Sequence, residues 1–151
     1  MKKIASFTVD HTLLKPGIYI SRTDGDITTY DLRFAQPNTP PFLSDVSLHT
    51  TEHLFATLAR NSIYGDKVIY FGPMGCKTGY YFIVRDMKPE EVIALVQIIM
   101  LQICDFAGPI PGASEKECGN WLLLDLAAAK ADAEKYSENI KNYTAKQLCY
   151  L

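Results

Sequence analysis

The chain has 151 residues, of which 48% are hydrophobic and 21% charged, and its formal net charge at pH 7 is −2. This length and balance fit one globular domain with a core of its own, so we expect residues 1–151 to form a single domain. The near-neutral charge and the lack of a basic run argue against a nucleic-acid-binding protein.

The N-terminus begins like a secretion signal, with Lys2 and Lys3 before an apolar run. That run is too short for the hydrophobic region of a signal peptide, because Asp10 and His11 follow it. The longest apolar stretch, residues 92–104, is interrupted by two glutamines and is too short to span a bilayer. We therefore expect a cytoplasmic protein, in which the four cysteines are not paired as disulfides.

Residues 17–35 are predicted to form a β-hairpin, because an Asp-Gly turn signal at residues 24–25 separates two strand-like runs. In the second run, apolar side chains alternate with Asp31 and Arg33. The side chain of Arg33 should therefore point away from the core, where a salt bridge is its default interaction. Three prolines within residues 36–41 then predict a loop.

The first predicted helix begins with Ser44 or Ser47 as its N-cap and ends near Asn61. Two strands are predicted next, at residues 68–71 and 80–84. The segment that joins them contains three glycines and a proline, so its backbone is tightly shaped and its cysteine is held in a turn.

Two more helices follow. Pro89 and the two glutamates after it are typical of a first helical turn, and this helix is predicted to reach about Phe106. The last helix is predicted over residues 125–140. A mixture of hairpins and separate helices favours an α+β fold, in which an antiparallel sheet of about four strands packs against helices.

A pair of histidines on the first predicted helix indicates a metal site. His49 and His53 are four residues apart and lie one above the other on a helix, so they can bind one divalent metal. Glu52 lies on nearly the same face, where it can move protons beside that metal. The pattern H-x-x-E-H is the inverted form of the metalloprotease signature. The alternative is a chance pair on a solvated helix face.

A catalytic metal usually has three protein ligands and one open position. Cys76 and Cys118 are the candidates for the third ligand, since a thiolate suits Zn²⁺ or Fe²⁺, and spacing alone does not choose between them. Two rival functions remain. One is an inverted-motif metallopeptidase, in which Glu52 would be the general base. The other is a structural zinc site, which would need a fourth ligand such as His11.

Five blocks of sequence occur in a characteristic order. They are Ser6-Phe7 with Asp10-His11, Asp31-Leu32-Arg33-Phe34 with Gln36-Pro37-Asn38, His49-Thr50-Thr51-Glu52-His53-Leu54, Pro73-Met74-Gly75-Cys76-Lys77-Thr78-Gly79-Tyr80-Tyr81, and Cys118-Gly119. These blocks closely resemble the signatures of the S-ribosylhomocysteine lyase (LuxS) family, and the resemblance extends from Ser6 to about Leu126. It implies the LuxS fold, an inverted-zincin-like metalloenzyme fold.

The resemblance also implies roles for particular residues. The metal ligands would be His49, His53 and Cys118, the proton-transfer pair Cys76 and Glu52, and the substrate contacts Ser6, His11 and Arg33. It further implies one divalent metal per subunit, with Fe²⁺ favoured over Zn²⁺ or Co²⁺, and a homodimer with its active sites at the interface. A thiolate at Cys76 would be favoured by a nearby cation, for which Lys77, Arg33 and the metal are candidates.

The implied reaction cleaves the thioether of S-ribosylhomocysteine to homocysteine and 4,5-dihydroxy-2,3-pentanedione, the precursor of the quorum-sensing signal autoinducer-2. The carbonyl group would first be moved along the sugar by aldose–ketose isomerisations, and β-elimination would then release the thiol. The product homocysteine could also be recycled to methionine. No organic cofactor is needed.

The chain departs from the family pattern at two places. Tyr70 and Gly72 stand where the family often has an acid and a serine, and Leu124 stands where it often has a histidine. None of these positions is an expected metal ligand or proton carrier. Affinity for substrate is therefore the property that the first departure would change.

Overall fold

The computed structural model describes residues 1–150, and it contains one four-stranded antiparallel sheet packed against three helices. The strands are β1 (Gly17–Asp24), β2 (Ile27–Arg33), β3 (Val68–Pro73) and β4 (Gly79–Arg85), and the helices are α1 (Asp45–Arg60), α2 (Pro89–Asp105) and α3 (Leu126–Ile140). Short 3-10 turns occur at Ala5–Phe7, Gly65–Lys67 and Ala145–Gln147. The predicted α+β class and the number of strands are confirmed.

The sheet has the order β1-β2-β4-β3, with every neighbouring pair antiparallel. The hairpin predicted for residues 17–35 forms β1 and β2, and its turn places Gly25 at a positive φ of 64°, a conformation that glycine adopts without strain. Strands β3 and β4 run one or two residues beyond their predicted ends. Pro73 is tolerated at the end of β3 because this strand lies at the edge of the sheet.

The helix boundaries follow from capping groups. The side chain of Ser44 accepts a hydrogen bond from the backbone N–H of Ser47, so Ser44 is the N-cap of α1 and Ser47 lies inside the helix. Helix α2 begins at Pro89 as predicted. The carboxylate of Asp125 accepts from the N–H of Ala128 and caps α3. None of these helices is long and apolar enough to cross a membrane.

The core lies between the helices and one face of the sheet. Aromatic rings join the two layers: Phe55 of α1 stacks on Phe71 of β3 with ring centroids 3.8 Å apart, and Phe34 after β2 stacks on Tyr136 of α3 at 3.8 Å. These side chains are almost completely buried. The packed layers hold α1 rigidly over the sheet, and α1 carries the histidine pair.

The opposite face of the sheet carries Asp31 and Arg33, since successive strand residues point to opposite faces. The predicted salt bridge of Arg33 forms with Asp31, at 2.6 Å. Both side chains are nevertheless buried, with exposures of 1% for Asp31 and 3% for Arg33. The loop before β4 and the C-terminal segment contact this pair through Thr78 and Tyr150, which sequence periodicity did not predict.

Side chains and the C-terminal segment around Leu148 also bind the outer strands of the sheet. On β1, the N–H of Ile20 donates to the carbonyl of Leu148 at 2.8 Å, and the hydroxyl of Tyr143 donates to the carbonyl of Ile18 at 2.6 Å. On β3, the guanidinium of Arg60 donates to the carbonyls of two consecutive residues, Val68 and Ile69, at 3.1 and 2.8 Å.

Candidate metal centre and active site

Three potential ligands converge beside α1. The Nε2 atoms of His49 and His53 are 3.1 Å apart, and the sulfur of Cys118 lies 3.4 Å from Nε2 of His49. The three ligand atoms all lie within 4.8 Å of one another, and each residue is partly buried. Cys118 is 69 residues from His49 in sequence, so the fold brings it to the two histidines and leaves Cys76 outside this possible metal-binding cluster.

Hydrogen bonds orient both imidazole rings. The Nδ1–H of His49 donates to the carbonyl of Leu123 at 2.9 Å, and the Nδ1–H of His53 donates to the carbonyl of Pro111 at 2.7 Å. A carbonyl can only accept, so the proton of each neutral ring is on Nδ1 and the lone pair is on Nε2. Two such lone pairs face each other, which favours a shared cation. This donor set fits a divalent metal with one open position.

The loop between α2 and α3 supplies these orienting carbonyls. Gly112 has a positive φ of 70°, and a Cβ at this position would lie 3.2 Å from Nδ1 and 3.3 Å from Cε1 of His53. Glycine therefore allows the backbone to approach the ring closely enough for Pro111 to bind it. The sequence showed Gly112 only as a helix breaker, and its contact with His53 was not predicted.

A cleft of about 410 Å³ opens beside the ligand cluster. His49 and Glu52 of α1 line it, together with Gly75 and Lys77 of the turn that follows β3. Glu52 thus lines the same cleft as His49, and its role in moving protons there stays a prediction. The predicted structural-zinc alternative, with His11 as a fourth ligand, finds no support, since His11 lies outside the ligand cluster and bonds instead to the carbonyl of Val9.

Cys76 lines a second, smaller cleft of about 180 Å³, together with His11, Phe42 and Thr78. The turn that carries Cys76 is exposed, and the following residue, Lys77, has a positive φ of 58°. The structure therefore brings His11 and Cys76 together, as the predicted site requires. Cys76 itself does not line the larger cleft with Glu52, although its neighbours Gly75 and Lys77 do.

The sulfur of Cys76 has two polar neighbours. Its Sγ lies 3.0 Å from the hydroxyl of Thr78 and 3.7 Å from Nη1 of Arg33. Of the proposed cationic neighbours, Arg33 is the one in contact, since the ammonium of Lys77 instead pairs with Asp45 at 2.7 Å. Burial lowers the pKa of Arg33, but the charge and hydrogen bond of Asp31 and the charge of Cys76 outweigh it, so the pKa is raised overall.

Ser6 is the one predicted substrate residue that the structure leaves apart. It lies in the 3-10 turn Ala5–Phe7 and, within the described part of the chain, lines neither of the two clefts. Arg33 lines neither cleft but reaches the smaller one through its contact with Cys76. Three further residues of this region were given no role in the site from the sequence, although the first two lie within the family blocks: Asp31, Thr78 and Tyr150.

The departures at Tyr70 and Gly72 are coupled in space. A Cβ at Gly72 would lie 2.0 Å from the hydroxyl oxygen of Tyr70, so the tyrosine occupies the space that a side chain at position 72 would need. Neither residue lines the clefts described above. Leu124 is not among the ligands either, and it is the neighbouring Leu123 whose carbonyl binds His49.

The sequence of the chain is similar to those of known proteins. The profile of the family S-Ribosylhomocysteinase (LuxS) matches residues 4–147 of the chain. Proteins named S-ribosylhomocysteine lyase are similar over almost their full length. The chain is 47% identical to that of Desulfotalea psychrophila and 45% identical to that of Borreliella burgdorferi, with 99% of each chain covered. It is 46% identical to that of Phocaeicola vulgatus, over 99% of this chain and 97% of the relative.

Proposed function

The chain belongs to the S-ribosylhomocysteinase (LuxS) family, and we propose that it is a carbon–sulfur lyase that cleaves S-ribosylhomocysteine to homocysteine and 4,5-dihydroxy-2,3-pentanedione, the autoinducer-2 precursor. The observation that carries the proposal is the cluster of His49, His53 and Cys118 beside a cleft that also contains Glu52. The same cluster would serve a metallopeptidase, but none of the similar proteins cited above is named as one.

We assign the metal to His49, His53 and Cys118. When bound there, a divalent cation supplies a Lewis acid that stabilises negative charge developing on an oxygen of the sugar. Fe²⁺ is the proposed ion, with Zn²⁺ and Co²⁺ as alternatives that two imidazoles and a thiolate also suit. Because both rings are fixed by carbonyls, the ligand atoms are held in place before the ion arrives.

Proton transfer is assigned to Cys76 and Glu52. Moving a carbonyl along the sugar requires a proton to leave one carbon and another to reach a neighbouring atom, and each transfer needs a group within hydrogen-bonding reach. Glu52 lines the larger cleft and Cys76 lines the smaller one. A sugar lying across both clefts would meet one proton carrier at each end.

The substrate contacts are assigned to Ser6, His11 and Arg33. Of these, His11 has the best structural support, because it lines the cleft of Cys76. Arg33 contacts the sulfur of Cys76, which lines that cleft. For Ser6, the support is the family resemblance alone.

We also propose that the protein is a homodimer whose active sites lie at the interface. Exposed apolar side chains flank both clefts: Phe42 lines the smaller one, and Trp121 and Leu122 follow shortly after Cys118. A second copy would cover these side chains and exclude water from the sites. Light scattering of the purified protein measures its molar mass and so shows whether it is a dimer.

The lyase is tested by incubating the anaerobically purified, metal-loaded protein with S-ribosylhomocysteine and titrating the released thiol with a chromogenic disulfide. We expect stoichiometric homocysteine release that stops when the metal is removed by a chelator and resumes when Fe²⁺ is restored. A fully metallated dimer that releases no thiol would refute the proposal. Peptide hydrolysis by the same preparation would then favour the metallopeptidase.

A further inference from the structure

The C-terminal segment reaches the charged pair behind Cys76. The hydroxyl of Tyr150 donates to Oδ2 of Asp31 at 2.9 Å, and the same oxygen accepts from Nη2 of Arg33 at 2.6 Å. The other terminal nitrogen of Arg33, Nη1, donates to Thr78 at 2.6 Å and lies 3.7 Å from the sulfur of Cys76. A continuous hydrogen-bonded chain therefore connects the C-terminal segment with Cys76.

We propose that Tyr150 is a positioning residue, which holds the carboxylate of Asp31 and through it keeps the guanidinium of Arg33 against Cys76. The proposal rests on the proposed function, in which Cys76 transfers protons. It makes the C-terminal segment one of the parts of the fold that keep Cys76 reactive.

Contacts with β1 hold Tyr150 in place. Its ring stacks on that of Tyr19 with centroids 5.1 Å apart and an interplanar angle of 14°. Two residues earlier, the carbonyl of Leu148 accepts from the N–H of Ile20 at 2.8 Å. Burial, and after it the charge of Asp31, raise the pKa of Tyr150 well above its ordinary value, so the phenol keeps its proton and remains a donor.

The carboxylate of Asp31 depends on this donor. It is 1% exposed, and its second oxygen, Oδ1, has no hydrogen-bond partner within the described residues. Tyr150 and Arg33 are thus the two groups that satisfy the charge of Asp31. Loss of one donor to a buried carboxylate costs free energy, which favours a rearrangement of the carboxylate and its remaining donor. The guanidinium of Arg33 is that remaining donor.

A shift of the guanidinium of Arg33 would change the polar contacts of the sulfur of Cys76. Thr78 accepts from Nη1 of Arg33 with one lone pair, and its own hydroxyl proton is then available to Cys76, 3.0 Å away. Arg33 and Thr78 are thus the two polar neighbours of the sulfur, and each can donate a hydrogen bond to it. His11 also lines this cleft. The ammonium of Lys77 pairs with Asp45, so it does not take the place of the guanidinium of Arg33 beside the sulfur.

The test is Tyr150→Phe, which removes the hydroxyl and keeps the stacked ring. The readout is the rate at which iodoacetamide alkylates Cys76 at pH 7, followed by mass spectrometry of the peptide that contains it. We expect the rate to fall about three- to tenfold, because only part of the effect of one charge-assisted hydrogen bond reaches the sulfur. In turnover, kcat should fall by a similar factor while KM and metal content stay within about twofold.

The matched control is Tyr19→Phe. It removes the other hydroxyl of the same stacked pair, which donates to the carbonyl of Lys15 and lies outside the chain of bonds to Cys76. Alkylation should be unchanged in this variant. The proposal is overturned if Tyr150→Phe reacts like the unaltered protein, or if both variants slow alkylation equally. Since alkylation needs no substrate, it also distinguishes failure of this proposal from failure of the lyase assignment.

Discussion

Gly112→Ala isolates the contribution of an orienting carbonyl to the metal site. A methyl group at this position would lie 3.2 Å from Nδ1 of His53, closer than ordinary van der Waals contact, so either the ring or the loop must move. Either movement lengthens the 2.7 Å hydrogen bond from the ring to the carbonyl of Pro111. The ring would then be less firmly held with its Nε2 directed at the metal.

The expected loss is about 10- to 100-fold in metal affinity, the usual effect of removing a group that orients a ligand histidine, and corresponds to about 1.4–2.7 kcal/mol. In addition, alanine at the positive φ of Gly112 costs the fold about 1–2 kcal/mol. The two effects are measured separately. Competition with a chromogenic zinc chelator gives the affinity, and urea unfolding of the metal-free protein gives the stability.

Gly25→Ala is the matched control, because Gly25 has a similar φ of 64° but no neighbour within 4 Å of an added Cβ. It should lose stability by a comparable amount and bind metal as tightly as the unaltered protein. If Gly112→Ala binds metal normally, the contact with His53 has no effect on the ligand. If Gly25→Ala also weakens binding, the loss reflects general destabilisation and the reasoning fails.

Three further variants test other parts of the site and fold. Cys76→Ala should retain stoichiometric metal and lose turnover, since it removes a proton carrier outside the ligand cluster; near-normal thiol release from this variant would contradict its role. Cys118→Ala should lose metal first, and undiminished metal content by elemental analysis would rule out the proposed ligand set. Burial, and after it the charge of Glu90, raise the pKa of Tyr30 to about 12 in the folded protein, whereas Tyr30 in the unfolded chain has its ordinary pKa of 10. The stabilisation that the neutral Tyr30 contributes is therefore fully present below pH 10 and is lost between pH 10 and 12, by up to about 3 kcal/mol. Urea unfolding across that range should show a shallower decline for Tyr30→Phe, and identical slopes would refute the assignment.

The fold was predictable where local signals agree with tertiary structure. The Asp-Gly turn produced the hairpin, and Ser44 and Pro89 begin their helices as their chemistry suggests. The strands β3 and β4 were predicted too short because their ends pair across the sheet, and pairing is not visible in a single segment. The burial of Asp31 and Arg33 was likewise hidden, since distant parts of the chain cover them.

The site, like the fold, was predictable from the sequence only in part. His49 and His53 are adjacent on a helix, so their pairing follows from local geometry. The third ligand is contributed by a loop without a periodic pattern, and spacing could not distinguish Cys118 from Cys76. Only the family resemblance chose it, and the structure then placed it 3.4 Å from His49. Tyr150 gave no signal at all, because its partner Asp31 is 119 residues away.

The bonds along the two outer strands limit how copies of this protein can associate. An open edge would offer its free N–H and C=O groups to a strand of another molecule and allow sheets to grow without limit. Here the terminal segment around Leu148 occupies part of the β1 edge, and Arg60 binds two carbonyls of β3. A strand of another copy could pair at these positions only by displacing the Leu148 segment or the side chain of Arg60. The sheet is therefore protected at both edges against the edge-to-edge pairing that leads to aggregation.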